Sequence, residues 1–163
     1  MLFRSESLTV PDIKDTDYVI RLGGDEFLII FVDSDLEQSE NVWNIRSKAG
    51  MVFQNPDDQL FMTKVYDDIA FGPRNELLTE EEVEERVVNA LEQLGITHLR
   101  DRMPHRLSGG EKRVIAIASV LAMNPRVILF DEPTSFLGPQ ARRNVINTLD
   151  SLKMTKIIAT HDL

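Results

Sequence analysis

Val127-Ile128-Leu129-Phe130-Asp131-Glu132-Pro133 is the stretch whose reading decides the fold. Four consecutive apolar residues, two of them β-branched, suit a central parallel strand covered on both faces. Two adjacent carboxylates follow at its C-terminal tip, the end of an α/β sheet where ligands bind. One carboxylate in that place can hold a divalent cation through water, and the next can orient a water molecule. A solvated acidic pair opening a turn fits the same residues.

The flanking sequence supports an α/β sheet. Residues 140–152 have helical periodicity, and 156–160 form another β-branched strand. Strand, helix, strand at this spacing implies a parallel sheet. Upstream, the run VIAIASVLAM (114–123) is apolar nearly all round, so the helix after Ser108 should be buried on several sides. Asn124-Pro125 ends it. The spacing also predicts a helix over 79–94. Thr79 and Glu82 form a capping box, Val83, Val87, Ala90, Leu91 and Leu94 share one face, and Gly95 stops it. Residues 50–54 read as a further buried strand ending at Gln54. Near the N-terminus, 18–21 and 27–32 are short strand-like runs, and Gly23-Gly24 between them reads as a hairpin turn.

Bulk properties narrow the function. A chain of 163 residues suits one domain with a real core. It has no run of eighteen apolar residues and no signal-like N-terminus. Cysteine is absent, which excludes disulfides and thiolate metal sites and fits a reducing cytosol. The net charge of −9 argues against a nucleic-acid footprint. Residues 1–40 hold ten Asp/Glu and three Lys/Arg, net −7, and leave −2 for the remainder. Such a step fits two origins, or simply a solvated acidic face.

Leu107-Ser108-Gly109-Gly110-Glu111 opens a helix. Glycines there let backbone N–H groups approach a phosphate, and the helix dipole favours the anion. Ser108 and Glu111 also form a capping box, which any well-built helix can carry. Taken in order, Gln54, then Ser108 to Glu111, then Asp131-Glu132, then His161 resembles the ABC transporter ATPases: Q-loop, signature, Walker B with its glutamate, and switch histidine. The resemblance covers about 41–163. Met51 to Gln59 (MVFQNPDDQ) and Asp68-Ile69-Ala70-Phe71-Gly72-Pro73 look like the cobalt and energy-coupling-factor branch, which imports cobalt or vitamins.

The resemblance implies an α/β fold, a P-loop NTPase parallel sheet with a helical subdomain at about 60–106. It implies Mg-ATP as ligand. Glu132 would polarise the attacking water, Asp131 and Gln54 would support Mg²⁺, and His161 would touch the γ-phosphate. Ser108, Gly109, Gly110 and Glu111 would face the nucleotide of a second ABC ATPase subunit in a head-to-tail dimer. The helical subdomain would dock on a transmembrane coupling subunit, placing the protein in the cytoplasm against the inner face of the membrane. Two features depart from the family. Gly138 stands where it usually has Asp, and Gly-Lys, needed for a G-x-x-x-x-G-K-[ST] phosphate loop, occurs nowhere in the 163 residues. Without that loop the expectation is poor nucleotide binding by the chain alone.

Asp17-Tyr18-Val19-Ile20-Arg21-Leu22-Gly23-Gly24-Asp25-Glu26-Phe27 is similar to the central motif of GGDEF diguanylate cyclases. That resemblance runs from about 7 to 38 and implies a hairpin of different family origin over 1–40. It gives Gly23 and Gly24 a nucleotide-facing place and Glu26 a metal, with Asp25 and Phe27 completing the motif. The family's first metal-binding aspartate lies well upstream of the motif, so no cyclase activity is expected. If the hairpin fills space beside the ABC sheet, residues 18–32 should pair onto that sheet's edge.

Overall fold

The computed structural model describes residues 48–160 and, before them, three strands. These are β1 (Leu2–Arg4), β2 (Tyr18–Gly23) and β3 (Glu26–Ile30). They form an antiparallel sheet in the order β1-β2-β3. Gly23 pairs with Glu26, so the hairpin forms where the sequence puts it, with the strand running on through Gly23. β1 has no counterpart in the sequence reading. The expected pairing of 18–32 onto the second sheet is not what is found: β2 lies between β1 and β3 in a sheet of its own.

The second sheet is wholly parallel. It comprises β4 (Ala49–Val52), β5 (Val127–Asp131) and β6 (Thr155–Ala159) in that order. β5 is central, as its continuous apolar run requires, and Ile128 and Phe130 are buried. β4 is shorter than the sequence suggests. Pairing with β5 stops at Val52, and Phe53 and Gln54 lie in the bend beyond it.

The described residues also form four α-helices, α1 (Val65–Asn75), α2 (Glu80–Gln93), α3 (Gly109–Leu121) and α4 (Pro139–Ser151), and three short 3-10 turns. α2 forms as its sequence predicts. The Glu82 N–H donates to Thr79 Oγ1 at 3.3 Å, and the Thr79 N–H donates to Glu82 Oε2 at 2.8 Å. Val83, Val87, Ala90 and Leu91 are buried, Leu94 packs against the same core, and Gly95 follows at φ 66°. Beyond its first turn α3 is largely buried, from Arg113 to Ala118 and again at Val120, because it packs against α1, α2, α4 and β4 at once. Each fully buried Ile or Val there contributes about 2 kcal/mol of burial free energy. Gly50 permits the closest of these approaches. A Cβ at that position would lie 2.2 Å from Val120 Cγ1 of α3.

Candidate functional site

The register of the parallel sheet gathers the predicted residues. Val52 aligns with Phe130 and Phe130 with Ile158, while Asp131 aligns with Ala159. Gln54, Asp131, Glu132 and Thr160 therefore all sit at or just past the C-terminal edge of the same three strands. Glu132 is held firmly. Its N–H donates to the Ala159 carbonyl at 2.9 Å, and its Oε2 accepts from Thr160 Oγ1 at 3.2 Å. It is buried and has left-handed backbone, φ 41°. That conformation is costly for a residue with a Cβ, and it persists only where the surroundings enforce it, often at functional positions. The Glu132 carbonyl helps by accepting from Ser135 Oγ at 2.9 Å.

Ser108 and Glu111 adopt the capping box in full at the start of α3. Ser108 Oγ accepts from the Glu111 N–H at 3.3 Å and donates to Glu111 Oε2 at 2.6 Å. The bonds from Ser108 hold the Glu111 carboxyl below its usual range, the hydroxyl contributing first and the backbone N–H second. The capping reading of this segment is what the bonds show, with Gly109 and Gly110 in the first turn of the helix. Gly110 has a packing reason as well. A Cβ there would come within 3.0 Å of Ala141 Cβ on α4. Leu137, in the loop before α4, lies beside Gly109. In that loop Phe136 is 94% exposed with φ 59°, and Gly138 is the N-cap of α4 without a side chain to accept from its free N–H groups.

Sequence reasoning missed Arg113. It is 2% exposed, and its Nη1 donates to the Phe53 carbonyl at 2.8 Å, next to Gln54. Burial pushes the guanidinium pKa down, and the Asp131 charge works against that. Arg113 thus ties α3 to the Gln54 bend and sets its charge near Asp131 at the tip of β5. The available signal was an arginine immediately before an apolar helical run.

Asp68, which opens the 68–73 stretch quoted above, is a further buried charge, on α1. Its Oδ1 accepts from the N–H groups of Phe61 at 2.9 Å and Met62 at 3.0 Å, fixing the chain between Gln54 and α1. Burial pushes its carboxyl up, against the opposing pull of those two bonds. His161, Gly24 and Asp25 lie outside the described residues. Of the remaining hairpin residues, Gly23 ends β2, and Glu26 and Phe27 begin β3.

The family model described as ABC transporter matches residues 25–135, more than half of the chain. The chain belongs to the ABC transporter family. A Geobacter sulfurreducens protein, provisionally named an ABC transporter ATP-binding protein, is 57% identical over 73% of this chain and 48% of its own length. The energy-coupling factor transporter ATP-binding protein EcfA1 of Streptococcus pyogenes is 47% identical over 82% of this chain and 50% of its own. Among solved structures, cbiO1 of Clostridium perfringens, part of the ABC transporter complex cbiONQ, superposes with a TM-score of 0.73 at 42% identity. The alignment covers 84% of this chain and 57% of that one. The chain spans about half the length of the curated relatives it matches.

Among the described residues no three His, Cys, Asp or Glu side chains converge into a cation cage. Magnesium needs none, because it is usually held by one or two carboxylates together with waters and substrate phosphates. Asp131, at the tip of β5, and Gln54, just past β4, lie at the same edge of the sheet. Among the described residues, no helix is long and apolar enough to cross a membrane.

Proposed function

We propose that the chain is the catalytic-edge and signature portion of the ATP-binding subunit of an energy-coupling-type ABC importer. It would act by presenting its signature to nucleotide held by a complete ABC partner. The observation that supports this most is the placement of Gln54, Asp131 and Glu132 on one sheet edge, with the Ser108-Gly109-Gly110 helix start tied to that edge through Arg113. Glu132 polarises the attacking water. Asp131 and Gln54 would hold the magnesium, which would supply neutralisation of the phosphate charge. Ser108 and Gly110 contact the γ-phosphate across a head-to-tail dimer, and His161 contacts it within its own subunit.

The segment from 60 to 106 docks on a transmembrane subunit at the inner membrane face. Its exposed aromatic pair supports that placement: Phe61 is 62% exposed and meets Phe71 edge to face at 4.9 Å. The names of the relatives support the energy-coupling-factor and cbiO branch, and the sequence resemblance to that branch implies cobalt or a vitamin as cargo, selected by the membrane partner. Residues 1–40 are read as a separate hairpin unit without cyclase activity. What supports this is that β1 to β3 pair with one another, although the family match already begins within that unit.

With no Gly-Lys phosphate loop in the 163 residues, the triphosphate would meet Asp131 and Glu132 with little compensating charge. The chain alone therefore binds Mg-ATP weakly and does not turn it over. Adding it to a complete energy-coupling-type ABC ATPase tests the reading. Saturable change in that partner's turnover is expected, and turnover unaffected at any ratio would refute it.

A further inference from the structure

The residue before Gln54 has both of its backbone groups taken by side chains. The Phe53 N–H donates to Gln59 Oε1 at 3.2 Å, and the Phe53 carbonyl accepts from Arg113 Nη1 at 2.8 Å. Arg113 belongs to α3. Gln59 is bound to α3 too: its amide nitrogen donates to the Ala116 carbonyl at 2.8 Å and to Ser119 Oγ at 3.0 Å. One amide side chain thus spends its acceptor on the bend and both donors on the helix. A chain leaving a sheet edge ordinarily satisfies its polar groups with water or with its own turn. Here the helix does so. Lys112 Nζ adds a more exposed tie to Asp57 at 2.6 Å, of the kind that contributes little.

We infer that Gln59 and Arg113 are positioning residues that bolt the Gln54 bend to the signature helix, so that displacement at Ser108-Gly109-Gly110 is carried to Gln54. The helix is well suited to carry it. α3 is packed on several sides, and Ser108 lies on the order of 15 Å along the axis from the carbonyl and hydroxyl that Gln59 holds. Resting on the function proposed above, the connection has a further consequence. In a head-to-tail pair the signature serves the opposite nucleotide and Gln54 the subunit's own, so the strut joins two nucleotide positions.

The test uses the whole chain with Gln59→Leu, which removes both ends of the strut, and Gln59→Glu, which keeps an acceptor for Phe53 but loses the donors to α3. In Gln59→Leu, amide exchange at residues 53–58 should speed up at least about fivefold, the factor an ordinary hydrogen bond corresponds to. Exchange at Val83, Val87 and Leu91 should be unchanged, showing an intact fold. Added to a complete ABC ATPase, both variants should lower the ceiling of the altered turnover by about fivefold. The chain concentration giving half the effect should not move, whereas mere loss of folded protein would raise it. Unchanged exchange at 53–58 overturns the inference, and so does an undiminished ceiling once the bend has loosened. If the parent chain leaves the partner's turnover unaltered, the function reading is what fails, and the exchange measurement decides the strut by itself.

Discussion

Gly110→Asp is expected to remove the chain's effect on a complete ABC ATPase, a loss of about a hundredfold, the scale seen when one preorganised donor to a developing charge is lost. Two physical effects combine. An aspartate at the second position of α3 puts negative charge where the helix N-terminus would otherwise attract phosphate. Its Cβ also starts within 3.0 Å of Ala141 Cβ, so α3 and α4 must part by a few tenths of an ångström. Gly110→Ala separates the two, because it brings the crowding without the charge. The alanine variant should keep most of the effect on turnover while melting slightly lower. Equal loss in both variants would mean that packing between α3 and α4, rather than anion recognition, sets the role of this glycine.

Arg113→Ala is expected to lower the unfolding free energy by about 3 kcal/mol in a urea titration. The substitution strands the Phe53 carbonyl, removes the positive charge near Asp131 and empties the space of a buried side chain. Arg113→Met should cost much less, about 1 kcal/mol. It refills the space, and the penalty for burying a guanidinium disappears with the guanidinium. Burial lowers the arginine pKa, and Arg113 Nε is buried without a hydrogen-bond partner. A methionine variant as unstable as the alanine one would show that the bond to Phe53, not the volume, dominates at this site.

Some of this structure could be read from the residues in order. The capping box of Thr79 and Glu82 placed α2 because both of its bonds are local. The run 127–130 placed β5 because a short continuous apolar run between turn signals suits a strand covered on both faces. The carboxylates at its end followed, as did the capped start of α3 at Ser108. What stayed hidden depends on tertiary neighbours. Arg113 and Gln59 look like ordinary polar residues until folding brings Phe53 between them. The left-handed backbone of Glu132 is imposed by its bond to Ala159, far along the chain, and no glycine marks it. β4 ends before Gln54 because Phe53 turns to those side chains instead of continuing the ladder. Among the described strands, the hairpin pairs with β1 rather than with the parallel sheet, and the short strand Leu2–Arg4 carries no strong periodic signal.

The most direct test is titration of Mg-ATP into the purified chain by calorimetry. No saturable heat in the micromolar range is expected, because no Gly-Lys phosphate loop accompanies Asp131, Glu132 and Gln54 in these 163 residues. Micromolar binding accompanied by hydrolysis that disappears in Glu132→Gln would contradict it, and would mean that other residues of this chain cradle the phosphates.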